Sequence, residues 1–235
     1  MSEAHRLKNP PMGTLYLVRH AQASFGADDY DQLSPLGHRQ AHRLGEYWRS
    51  QGLRFDAVLT GTLRRHRETL EGISQGLCTD GMQAQTFPEL NEYDGAALIK
   101  AIHPQTLPKA DTPALYKQHF RLLCDALAQW MAGTISPAGM ASWDEFSTGI
   151  HSVLEHIRRH HSGHEVLMVT SGGPIGALLT QILGSPAEVG IGLNMRVRNS
   201  SVTELSTSAK RIMLQTFNGV GHLQDSDHRE WITYA

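Results

Sequence analysis

Cysteine is scarce in this 235-residue sequence, with Cys78 and Cys124 as its whole complement. Two cysteines make no disulfide framework and fit a reducing compartment. Long apolar runs are absent as well: nothing approaches the roughly 18 residues that a membrane-spanning helix needs. Residues 1–13 are polar, carry Pro10 and Pro11, and lack the apolar stretch of a secretory signal. They read as a flexible lead-in, and residues 14–235 as a single domain of a cytoplasmic protein. Neither sign of charge is in excess. A formal net charge of −2 leaves no electrostatic footprint for nucleic acid or an anionic membrane. Internal repeats and low-complexity tracts are missing too. What remains is ordinary for a globular chain, 40% apolar and 19% charged, except for fourteen histidines. His160, His161 and His164 cluster, but no carboxylate or cysteine stands at ligand spacing beside them, so no metal site is expected.

The apolar pattern alternates strand and helix. Leu15-Tyr16-Leu17-Val18 marks a buried strand over 14–19. A polar, acidic loop with Gly26 and Asp28-Asp29 follows, then Ser34-Pro35 opens a helix, serine as cap and proline in the first turn. Leu33, Leu36, Ala41, Leu44 and Trp48 give that helix its apolar stripe, and Gly52 ends it. A second strand over 55–60, a helix over 62–77 and a weak strand over 83–87 come next. Residues 91–139 break the alternation, with helix candidates at 97–102 and 114–131. This stretch has too few apolar residues for a core of its own and reads as a helical cap inserted over the sheet edge. A helix over 141–161, a strand over 165–170 and a helix from the glycine turn to Leu183 resume the pattern. Residues 201–206 and 211–217 alternate like an antiparallel edge hairpin, which could pair in a homodimer. The tail after Asn218 is polar.

Four short segments carry chemistry. The first strand ends in Arg19-His20, at the carboxyl edge where open α/β sheets place their sites. An imidazole is a usable nucleophile toward phosphorus near neutral pH, and a guanidinium holds phosphate oxygens in a bidentate fork. Thr60-Gly61-Thr62-Leu63-Arg64-Arg65 places arginines in the first turn of a helix, whose free N–H groups favour anions. Arg64, Arg65 and Arg67 fit a solvated face equally well. Glu89-Leu90-Asn91-Glu92 supplies a carboxyl group that could protonate a leaving oxygen and then activate water. An exposed loop glutamate is the plainer reading of the same residues. In Val169-Thr170-Ser171-Gly172-Gly173-Pro174 the glycines let backbone approach a phosphate. No lysine follows, which excludes a P-loop. Val169 stands where a serine-hydrolase elbow needs glycine.

Leu17-Val18-Arg19-His20, Leu33-Ser34-Pro35-Leu36-Gly37-His38-Arg39-Gln40-Ala41, Leu63-Arg64-Arg65-His66-Arg67-Glu68-Thr69 and Leu90-Asn91-Glu92 together resemble the histidine phosphatase (phosphoglycerate mutase-like) superfamily. The order and spacing hold from Leu15 to about Leu223. The resemblance implies a three-layer α/β/α sandwich around a mostly parallel sheet. It implies His20 as the nucleophile that becomes phosphohistidine, Arg19 and Arg65 as phosphoryl ligands, and Glu92 as proton donor. Ser171, Gly172, Gln22 and His222 complete the candidate substrate contacts, His222 through the stretch Asn218-Gly219-Val220-Gly221-His222-Leu223. No metal or organic cofactor is implied, and the partner is a small phosphorylated substrate.

Three departures qualify the match. Ala21 follows His20 where the family has glycine. Tyr93-Asp94-Gly95 is about one residue short of the usual pattern, which keeps Glu89 and Asp94 open as alternative acids. Ser171 stands where the family carries a second histidine. Losing one charge-assisted contact costs about 2–4 kcal/mol of transition-state stabilisation, or about 10²–10³-fold in rate. On this reading, a gain of activity in Ser171→His would show that the serine only weakens an otherwise intact pocket. His66, on a flanking helix, ranks low among the residues that could substitute. A phosphomonoesterase fits best, followed by a mutase in the same fold and by a phospholigand-binding protein without turnover.

Overall fold

The computed structural model describes residues 12–24, 31–79, 81–109 and 111–234. The proposed lead-in up to Pro11 and the Gly26 and Asp28-Asp29 segment lie outside the described residues. The elements run β1 (Gly13–Arg19), α1 (Pro35–Ser50), β2 (Ala57–Thr60), α2 (Arg64–Leu77), β3 (Gln85–Thr86), α3 (Gly95–Ile102), α4 (Pro113–Met131), α5 (Trp143–His160), β4 (Glu165–Thr170), α6 (Gly172–Leu183), α7 (Val189–Asn194), β5 (Val202–Thr207) and β6 (Ile212–Gly219). The six strands form one sheet in the order β3-β2-β4-β1-β5-β6. The first four are mutually parallel, while β5 and β6 are antiparallel to their neighbours.

The alternation of side chains along each strand splits the core into two layers. Leu15 and Leu17 of β1, Val166 and Met168 of β4 and Leu205 of β5 face α5 and α6, meeting Ile150, Leu154, Ile157, Ile175 and Leu178. Val18, Val58, Leu167, Val169 and Val202 face the other way, onto Leu44 and Trp48 of α1 and Leu70 and Ile73 of α2. The strands are apolar on both faces because helices cover both. Their carboxyl ends are in register, Arg19 opposite Thr170 and Thr60 opposite Val169. The residues that follow these strands therefore sit side by side along one edge.

The stretch 91–139 forms α3 and α4, as its periodicity predicts, and gathers Leu98, Ala126, Leu127 and Trp130 into a cluster. Trp143 and Phe146 of α5, and Ile191 and Met195 at α7, pack against that cluster. The tail differs from expectation: it is polar in sequence, yet Val220, His222 and Leu223 are buried. Gln40 donates to the Trp231 carbonyl at 2.6 Å, and Asn199 N donates to the Thr233 carbonyl at 2.9 Å. Among the described residues no helix is long and apolar enough to cross a membrane.

Candidate active site

His20 leaves β1 with 2% of its surface exposed. Its amide donates to the Thr170 carbonyl at 2.8 Å, continuing the ladder one residue past the strand. Its Nδ1 lies 2.8 Å from the Ala21 carbonyl. A carbonyl only accepts, so Nδ1 carries the hydrogen and Nε2 presents its lone pair. Arg65 Nε donates to that lone pair at 3.2 Å. Burial, with Arg19, Arg65 and His66 nearby, holds the His20 imidazole well below its usual basicity and hence neutral.

Arg65 enters from the first turn of α2. Asp31 sets it: one carboxylate oxygen accepts from Arg65 NH1 at 2.7 Å, the other from the Arg64 amide at 2.8 Å. An acid at a helix N-terminus satisfies a free N–H and meets the positive end of the helix. Arg19 donates to the backbone carbonyls of Val197 and Tyr234. It lies close enough to His20 and Glu92 to bias the titration of both.

Glu92 follows the 3₁₀ turn Pro88–Leu90. Its carboxyl accepts from Gly173 N at 3.0 Å. A Cβ at residue 173 would fall 2.2 Å from Glu92 Oε1, so only glycine permits this approach. Burial raises the Glu92 pKa above the ordinary carboxyl value, against the opposing pull of the Gly173 amide, Arg65 and Arg19. A carboxyl whose pKa is raised is better suited to donating a proton than an ordinary one. The two alternative acids stand elsewhere: Asp94 caps α3 through the Ala97 amide at 2.9 Å, and Glu89 is exposed.

The structure thus assembles His20, Arg19, Arg65 and Glu92 at one sheet edge. Ser171 and Gly172, at the β4–α6 junction, border the same edge. Gln22 and His222 take other positions. The Gln22 amide donates to Gln40 Oε1 at 2.9 Å, and its side chain accepts from Ser34 Oγ at 2.7 Å, which fastens the start of α1. His222 is buried beside Tyr47, with Nε2 2.9 Å from Ser200 Oγ, and Ser200 N in turn donates to the His20 carbonyl at 3.3 Å. Burial, with Arg43 and His228, lowers the His222 pKa to about 3.

The structure brings His66, which the sequence places on a flanking helix, next to His20. His66 is fully buried, with its ring centroid 5.8 Å from that of His20 and its Nε2 2.7 Å from Ser171 Oγ. Gly61 makes room for it, since a Cβ there would lie 2.2 Å from His66 Nδ1. The signal in the sequence is the glycine at 61, five residues before the histidine. Sequence reasoning missed Asp31 and Asn194. Asn194 Nδ2 donates to the Tyr93 hydroxyl at 2.7 Å and helps hold the segment that bears Glu92.

A neutral imidazole with its lone pair presented, two guanidiniums and a carboxyl whose pKa burial raises meet at one sheet edge, a set of groups suited to a protein class that acts on phosphoryl groups. The chain belongs to the histidine phosphatase superfamily (branch 1), whose family model matches residues 15–219. Over 226 residues it is 26% identical to the "Probable phosphoglycerate mutase GpmB" of Klebsiella pneumoniae (strain 342), covering 89% of this chain and 94% of that relative. The corresponding protein of Cronobacter sakazakii is 27% identical over 223 residues, with the same coverage of 89% and 94%. Among solved structures, the phosphoglycerate mutase of Bacillus anthracis str. Sterne superposes with a TM-score of 0.64 at 18% identity, over 91% of this chain and 96% of that one. A mycobacterial glucosyl-3-phosphoglycerate phosphatase does so with a TM-score of 0.63 at 21% identity, over 88% and 99%. Both structures share the fold.

Proposed function

We propose that this protein is a cytoplasmic phosphomonoesterase that hydrolyses a small phosphate ester, or a phosphorylated side chain, through phosphohistidine at His20. The observation that carries this reading is the fixed tautomer of His20, with Nδ1–H on the Ala21 carbonyl and the Nε2 lone pair turned toward Arg65. In the first step Nε2 attacks phosphorus and the bond to the ester oxygen breaks, with Glu92 giving that oxygen its proton. The Ala21 carbonyl stabilises the positive charge that develops on the ring. Arg65 and Arg19 bind the phosphoryl oxygens as charge grows on them. In the second step the Glu92 carboxylate takes a proton from water, water attacks phosphorus, and the P–N bond breaks to release phosphate.

A second reading is supported by the two curated relatives, both named as phosphoglycerate mutases. The same residues would then pass the phosphoryl group back to a substrate hydroxyl instead of water. Purified protein given an aryl phosphate, beside His20→Ala, tests the first reading. Release of the phenol by the wild type and not by His20→Ala supports it, and equal rates reject it. Phosphorus NMR with 3-phosphoglycerate separates the two, because a mutase yields the 2-isomer and a phosphatase yields inorganic phosphate. Phosphate that binds with no turnover would favour a binding protein.

A further inference from the structure

Ser171 occupies the N-cap position of α6 with an extended backbone, φ −114° and ψ 174°. A serine there ordinarily turns its oxygen onto the N–H of the second or third helical residue. Ser171 makes no such bond. The amide it would serve, Gly173 N, is taken by Glu92 at 3.0 Å. The glutamate has assumed the capping role, and the Ser171 hydroxyl instead meets His66 Nε2 at 2.7 Å. Both partners are completely buried.

The direction of that bond follows from the other ring nitrogen. His66 Nδ1 is buried and makes no hydrogen bond among the described residues. A buried N–H without an acceptor loses its hydrogen bond to water with nothing in return, whereas an unused lone pair is tolerated more often. Nδ1 therefore bears the lone pair, and Nε2–H donates to Ser171 Oγ. That leaves the hydroxyl hydrogen of Ser171 uncommitted, since Oγ has no other partner among the described residues. The serine follows Thr170, whose carbonyl holds the His20 amide. His66 directly follows Arg65, which reaches His20 Nε2.

We infer that Ser171 and His66 act as one unit: Ser171 donates its hydroxyl hydrogen to an oxygen of the phosphoryl group at His20, and His66 fixes and polarises that hydroxyl from behind. Ser171 is the contact residue and His66 a positioning residue. The pair supplies a donor without supplying charge. Burial, and then Arg65, lower the His66 pKa to about 3, so it stays neutral across the working range. This inference rests on the phosphohistidine reading above.

The test is aryl phosphate hydrolysis by Ser171→Ala, His66→Ala, the double variant and His66→Gln, with His20→Ala as control and thermal midpoints recorded for each. Ser171→Ala and His66→Ala should each lower kcat/KM by about 10- to 100-fold, and the double variant by no more than either one. In His66→Gln the amide N–H takes the place of Nε2–H, and at least about a third of the wild-type activity should remain. Should His66→Ala fail to fold, Ser171→Ala and His66→Gln carry the comparison. Folded Ser171→Ala within twofold of wild type, with His20→Ala inactive, overturns this inference and leaves phosphohistidine chemistry standing. Losses that add in the double variant also overturn it. Equal activity in His20→Ala and wild type removes both.

Discussion

Arg65 Nε and His20 Nε2 stand 3.2 Å apart, guanidinium donor to imidazole lone pair. The arginine thereby does two things before any substrate arrives. After burial, the largest cause, and Arg19, it helps to keep the ring unprotonated, because its charge disfavours an imidazolium. It also holds the Nε2 lone pair in one direction. Asp31, at 2.7 Å from Arg65 NH1, prevents the guanidinium from swinging away.

Replacing Arg65 with glutamine should therefore change two observables. A lost phosphoryl contact should lower kcat/KM by about 10²–10³-fold. With the cation gone, the His20 pKa rises toward its ordinary value, so the acid limb of the pH–rate profile moves to higher pH. A pH series of kcat/KM on both proteins reads both effects. An acid limb that stays in place would mean Arg65 does not control the protonation of His20.

Glu92→Gln removes the proposed proton donor and leaves the Gly173 amide an oxygen to bond. Esters with a basic leaving oxygen need that proton, while a nitrophenolate departs almost without it. Loss of kcat should reach about 10²–10⁴-fold for an alkyl phosphate and be much smaller for a nitrophenyl phosphate. The basic limb of the profile, set by loss of the Glu92 proton, should vanish together with the alkyl phosphate activity. Equal losses on both ester classes would assign the acid to another group.

The parts of this fold that follow local rules were legible in the sequence. β4 matches its predicted span because its apolar run is continuous, and α1 starts at Pro35 because Ser34 and Pro35 form a standard helix start. α2 ends at Cys78, in the left-handed region at φ 57°, where no glycine announces a stop. α7 was invisible: a six-residue helix with two glycines has little propensity of its own. It exists because Gly176 and Gly190 let it lie against α6, where a Cβ on Gly176 would meet the Gly190 carbonyl oxygen at 2.6 Å. The site divides the same way. His20, Arg19, Arg65 and Glu92 sit at strand and helix ends that the pattern locates. The His66–Ser171 pair joins residues 105 positions apart, and only packing brings them together.

His66 and His222 also set how the fold responds to acid. Each is neutral in the folded chain, with a pKa near 3, against 6.5 for the ordinary imidazole. Between those values the unfolded chain binds a proton that the folded chain refuses, so stability is complete above pH 6.5 and falls as the pH drops. The slope approaches about 1.4 kcal/mol per pH unit for each group once the pH is well below 6.5, which amounts to roughly 2 kcal/mol per histidine between pH 6.5 and 4.5. His222→Gln should flatten the pH dependence of urea unfolding over that interval by one group's share, whatever it does to stability at neutral pH. Parallel curves for the two proteins would show that His222 is protonated in the fold.

A histidine placed at position 171 gives the sharpest contrast between the sequence reading and the structure. From the sequence alone, a gain of activity in Ser171→His would mean that the serine only weakens an otherwise intact pocket. In the fold, residue 171 is completely buried and its Oγ already lies 2.7 Å from the His66 ring, so a second imidazole has no space. Overpacking of this kind costs about 1–3 kcal/mol, and here it would push His66 against Gly61 and disturb Arg65 next to it. Ser171→His should lower both the thermal midpoint and kcat/KM. His66→Ala/Ser171→His vacates the space that the new ring needs and should recover activity above either single variant. Such recovery requires that the two positions share one volume at the phosphoryl site. A double variant no better than the worse single would place them in separate roles.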